Sequence, residues 1–156
     1  MKGNIKKPSQ RPHIKSSKVP DVPSHCPVYP AFSFRHITPN KSYNTDSYQH
    51  NSSRDSEKTL KQLYMRLHEI SQYEWVHWYR LNKKKGIETL EYDRIHFDIA
   101  PDSENELQIT KDTKVIVFRF NTPEKTDGGR IIGLRINSCA TLHILGYDFD
   151  FSAYRH

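Results

Sequence analysis

The sequence predicts an α+β fold, β-α-α-β-β-β, with a helical hairpin packed on an antiparallel meander. Three observations predict it. Apolar residues follow a helical period only over the segment from Asp55 to about Leu81. Three β-branched and aromatic runs crowd the chain after residue 113. Short polar segments join those runs, and short connections suit antiparallel pairing.

A chain of 156 residues has room for one domain of ordinary size and a tail. Its 35% hydrophobic content and mean hydropathy of -0.84 are low for a chain that is globular throughout. Residues 1–55 hold nine Lys or Arg against three Asp or Glu, which accounts for the whole net charge of +6. The remainder is neutral, which weakens the case for a folded body that is a basic nucleic-acid platform and leaves room for local patches.

Residues 1–27 are rich in Lys and Ser and carry Pro8, Pro12, Pro20, Pro23 and Pro27. Such a segment buries too little apolar surface to offset its ordering entropy, which predicts a disordered basic arm. The arm reads either as an electrostatic tether to nucleic acid or as a solubilising tail. Residues 28–156 then form a single α+β domain.

The first strand is expected around Phe32 and Phe34, which alternate with Ser33 and Arg35 between Pro30 and Pro39. Flanking prolines suit an edge strand. A polar loop follows. In the first helix, Leu60, Leu63, Tyr64, Leu67 and Ile70 make one apolar stripe. Ser71-Gln72-Tyr73-Glu74 spells a capping box that starts a second helix carrying Trp75, Trp78, Tyr79 and Leu81. Lys83, Lys84, Lys85 and Gly86 mark its end, with cations on the C-terminal dipole. Residues 87–112 show no period and read as an irregular connector with room for one short strand. The three strands of the meander run over residues 114–120, 130–136 and 141–147, with Asn137-Ser138 as a tight turn. Gly133 and Gly146 interrupt two of them, which predicts bulges or close backbone approach.

Strand alternation sets Arg119 with Val115 and Val117, and Arg135 with Ile131 and Gly133. If the helices cover the more apolar sheet face, both arginines point from an open one. Two guanidinium forks there form an anion site matched to phosphate, unless they are ordinary solvated charge. His143 reads as a hydrogen-bonded structural residue or a catalyst. The tail ends Tyr154-Arg155-His156, groups able to move protons or stabilise phosphate, unless it frays. Asp148 and Asp150 lack companion ligands, so no metal is expected. Cys26 and Cys139 lie far apart and fit two free thiols in a reducing compartment. No P-loop, dinucleotide fingerprint, nucleophile elbow or zinc-protease helix is present, so no cofactor is expected. With no apolar h-region and no spanning run, a cytoplasmic location and no membrane partner are expected.

The element order, with Val117-Phe118-Arg119-Phe120, Gly129-Arg130-Ile131-Ile132-Gly133 and His143-Ile144-Leu145-Gly146-Tyr147-Asp148, resembles the RelE/HigB-type toxin superfamily. The tail also resembles that of small phage- and plasmid-borne proteins. The resemblance implies an RNA-binding protein, a metal-independent toxin-like endoribonuclease acting on ribosome-bound mRNA and held by an antitoxin. It implies Arg119 and Arg135 on phosphate and Tyr154 and His156 on the proton transfers. Arg130, Lys83, Lys84 and Lys85 complete the expected RNA-binding set. The other expectation is a phage- or plasmid-encoded interaction protein that binds a host protein without catalysis.

Overall fold

The computed structural model describes residues 28–48, 56–136 and 139–154. The basic arm, the Asn137-Ser138 turn, Cys26 and His156 lie outside the described residues. The fold is α+β, built on a five-stranded mixed sheet. Strands β1 (Ala31–Ser33), β2 (Glu88–Glu91), β3 (Lys114–Phe120), β4 (Gly129–Arg135) and β5 (Thr141–Asp148) lie in the order β1-β5-β4-β3-β2. The expected meander is β3-β4-β5, antiparallel throughout. β1 pairs parallel to β5 at one edge, and β2 pairs antiparallel to β3 at the other. The first strand is shorter than its Phe32/Phe34 alternation suggests. The chain turns after Ser33, where the Ile37 N–H donates to the Phe34 carbonyl, and Phe34 is left exposed.

Helix α1 (Ser56–Ser71) lies on one sheet face with its stripe rotated from the expected one. Thr59, Leu63 and Ile70 are buried, whereas Leu60 and Tyr64 face outward, Tyr64 being 69% exposed. The capping box does not form. The Ser71 hydroxyl instead donates back to the His68 carbonyl (2.6 Å), closing α1. Helix α2 (Trp75–Arg80) is one and a half turns long, capped by an extended Glu74 that makes no side-chain bond. Both of its tryptophans are buried: the Trp78 indole donates to the Ile70 carbonyl and the Trp75 indole to the Ala140 carbonyl, each at 3.0 Å. With Phe118, Ile131, Leu142 and Ile144 they make the first half of the core.

The second sheet face is covered as well, which the aperiodic stretch before β3 gave no sign of. Phe97, Ile99 and Leu107 from the β2–β3 connection, together with Ala153 and Tyr154 from the tail, pack on Val115, Val117, Ile132, Leu134 and Leu145. The connection contains a short helix α3 (Ser103–Glu106) and is tied to the tail where the His96 N–H donates to the Ala153 carbonyl. The expected open sheet face is therefore a second core. Gly133 sits at a register shift, since Ile132 pairs with Gly146 while Gly133 pairs with Ile144, so β5 carries one extra residue. A Cβ on Gly146 would meet the Phe97 ring at 2.8 Å, the close approach its place in the strand suggests.

Candidate nucleic-acid interface

Pairing register decides which arginines share a face. Arg119 of β3 stands opposite Arg130 of β4, and Arg130 stands opposite Asp148 of β5. Glu88 of β2 joins them from Arg119's other side. The result is a row across the second face in the order Glu88, Arg119, Arg130, Asp148. Its arginines are neutralised at each end. Arg119 Nη2 donates to Glu88 Oε2 at 2.9 Å, and Arg130 Nη1 to Asp148 Oδ2 at 3.3 Å, the latter pair fully buried. Two like charges facing across adjacent strands repel, and the flanking carboxylates offset that repulsion. Burial alone would raise the Glu88 carboxyl, but the Arg119 hydrogen bond and charge outweigh it and its pKa falls. Burial pushes the Asp148 carboxyl up against the backbone N–H groups of Asp150 and Ser152 that favour its charge.

The tail closes over this row. Phe151, held at a positive φ of 67°, lays its ring 3.9 Å from the Arg130 guanidinium, with Lys125 at 4.0 Å. Tyr154 is buried, its hydroxyl 3.4 Å from Glu88, and burial pushes its pKa up to about 12. Arg135 is elsewhere. It shares the helix-covered face, stacks 4.5 Å over the Trp75 ring, and donates through Nε to the Cys139 carbonyl. Arg119 and Tyr154 thus come together, Arg130 joins them, and Arg135 does not. The face expected to be open was inferred from strand alternation alone, and the connection before β3 closes it.

An accessible concavity among the described residues lies on the helix side and around the end of β3. It is a groove of about 890 Å³ lined by α1, α2, the loop after α2 and the β3–β4 connection. Arg66, Lys84, Lys85 and Arg119 face Glu69 and Asp127 along it, with Tyr73, His77 and Trp78 on its aromatic wall. Lys84 and Lys85 are positioned by an Asx turn: Asn82 Oδ1 accepts both of their backbone N–H groups (3.1 and 3.2 Å). They therefore follow a turn, not the last turn of α2. Arg66 ties that turn to α1, donating Nη2 to the Lys85 carbonyl at 2.7 Å and Nη1 to Glu69 at 2.6 Å while lying 5.0 Å over the Trp78 ring. Lys84 and Lys85 make no ion pair among the described residues. Lys83 is exposed beside them and reaches Glu88 through its field.

No family model, curated protein or solved structure matches this chain. Function must therefore be argued from the site. Of the residues expected from the sequence, Arg119, Lys84 and Lys85 line the groove; Arg66, Tyr73 and His77 join them there without a sequence signal for a site, since Arg66 and His77 lie in helices and Tyr73 in the junction between them. Glu88 and Asp148 are not legible as arginine partners in the sequence, because register between strands sets both pairings. No group of three or more His, Cys, Asp or Glu side chains placed to hold a metal occurs among the described residues. No helix among them is long and apolar enough to cross a membrane.

Proposed function

We propose that this protein binds RNA through the groove between the helices and the end of β3. The observation that carries the reading is Lys84 and Lys85, two exposed ammonium groups without ion pairs among the described residues, set beside an aromatic wall. Phosphate attracts the cations, and ring faces accept bases. Kinship with RelE/HigB-type toxins belongs to the same proposal and supplies RNA as the ligand. Cleavage does not follow from it, because the Tyr154 phenol is buried and that burial raises its pKa. The reading is binding, with Arg119 at the rim and the Glu88–Asp148 row as its support.

A labelled RNA oligomer titrated at several salt concentrations tests this. Lys84→Ala/Lys85→Ala should weaken binding and lower the slope of log K against log salt by roughly 0.7–0.9 per lysine. The melting temperature should stay put, since both side chains are exposed. Unchanged binding in this variant refutes the groove. A parent that ignores RNA at low salt favours a second reading, a protein-binding module, whose surface would be exposed Leu60, Tyr64 and Met65 on α1.

A further inference from the structure

We infer that the groove takes single-stranded RNA, with one unstacked base laid on the ring of Tyr73 and the adjoining phosphates on Lys84 and Lys85. This rests on the RNA-binding reading and narrows its ligand.

Tyr73 lies in the three-residue junction between α1 and α2, 48% exposed although it is a large aromatic in the wall of a groove. Its ring is not loose. It stacks on His77 with centroids 4.5 Å apart and planes 19° off parallel, and the Trp78 edge supports it at 5.8 Å and 86°. His77 in turn meets Trp78 edge-on at 5.0 Å. The buried Trp78 thus anchors a two-ring stack that reaches solvent. A base added to that stack gains a flat partner in a ring that is half exposed. The amide side chains of Gln62, Gln72 and Asn121 line the same groove and can read a base edge.

A duplex cannot use this arrangement. Its base faces are covered by their own neighbours, and its regular backbone presents phosphates along a convex surface. A groove walled by a helix pair on one side and the β3–β4 connection on the other accepts a single strand with a base turned out.

The test uses the full chain and a labelled twelve-nucleotide oligo(U), alone or paired with oligo(A). The single strand should bind at least tenfold more tightly than the duplex. Tyr73→Leu should weaken it by roughly five- to a hundredfold, the effect of losing one base–aromatic stack. Tyr73→Phe should bind like the parent, because the ring and not the hydroxyl is used. Should Tyr73→Leu fail to fold, photocrosslinking of a 5-iodouridine oligomer to the unaltered protein reads the same contact, and crosslinks must fall on Tyr73 or His77. Equal binding of single strand and duplex, an indifferent Tyr73→Leu that folds, or crosslinks confined to groove residues other than Tyr73 and His77 overturns the inference while RNA binding in the groove survives, and crosslinks only outside the groove overturn both. Absence of RNA binding by the parent overturns both.

Discussion

At the scale of single residues, the tightest constraints sit where a side chain has no room or no alternative partner. Trp78 fills the centre of the helix-side core, meets Phe118 edge-on at 5.6 Å, and satisfies its indole N–H on Ile70. Trp78→Ala should cost about 3–5 kcal/mol in urea unfolding, the usual loss for a buried aromatic. Gly86 closes the turn that presents the lysines. A Cβ there would collide with the Trp78 carbonyl oxygen and lie 2.7 Å from the Leu81 Cβ. Both Arg130→Ala and Arg130→Met leave the buried Asp148 carboxyl without its guanidinium, and Arg130→Ala should be worse because it also leaves a cavity that methionine fills. Removing one member of a buried pair costs about 3–5 kcal/mol. Equal midpoints for the two variants would show that the lost guanidinium, and not the emptied volume, sets the cost.

Elements are joined by polar contacts that carry a pH dependence. His36, in the loop after β1, is buried with Nδ1 2.9 Å from the Ser103 hydroxyl of α3, and its ring meets the His143 ring of β5 at 5.3 Å. Arg35 and Glu106, paired at 2.8 Å, are the charged groups beside it, and Glu106 reaches to 4.0 Å from His36 Nε2. Burial lowers the His36 pKa, with Glu106 opposing and Arg35 adding. Burial lowers that of His143 too, with His36 adding. Both folded pKa values lie below the unfolded value of 6.5, so the unfolded chain takes up protons first as pH falls. The stability is therefore complete above pH 6.5 and is lost progressively below it, before most carboxylates titrate. A melting temperature that falls between pH 7 and 5.5 in the parent, and falls less in His36→Gln/His143→Phe, is the expected result. Identical slopes would remove the histidine pair as the cause. The tail is an element of the same kind. Deleting residues 150–156 uncovers Ile132, Leu134 and Leu145 and removes the Phe151 ring that covers Arg130, so the midpoint of unfolding should fall sharply.

For the whole molecule, charge and stability are expected to separate. Residues 1–27 carry six Lys or Arg and one Asp, and little that can be buried. Removing them should leave the melting temperature nearly unchanged and reduce the salt slope of RNA binding. A large thermal loss would mean that the arm packs on the domain; an unchanged slope would leave the groove as the whole RNA site. The β3-β4-β5 meander, the helical segment and both tryptophans were legible in the residues, because each depends on local period and short connections. The amphipathic stripe was legible only to within a residue or so. Leu60 and Tyr64 satisfy the helical period as well as Thr59 and Arg66 do, and the sheet beneath chose the latter.

What the sequence determined by itself is thus local: where strands and helices form, which runs are polar, and that Lys83, Lys84 and Lys85 follow α2. Tertiary structure alone decided that the sheet is mixed, since β1 meets β5 across more than a hundred residues. It also decided that the second face is a core, because Phe97, Ile99 and Leu107 lie in a segment with no period and acquire a common direction only by packing. The arginines show the reason most clearly. Alternation along a strand assigns a side chain to one of two faces, but register between strands decides its neighbour and distant segments decide whether the face is wet. Arg119 therefore found Arg130 and Glu88 in place of Arg135, and the accessible cations came to lie around a groove assembled from two distant stretches of chain.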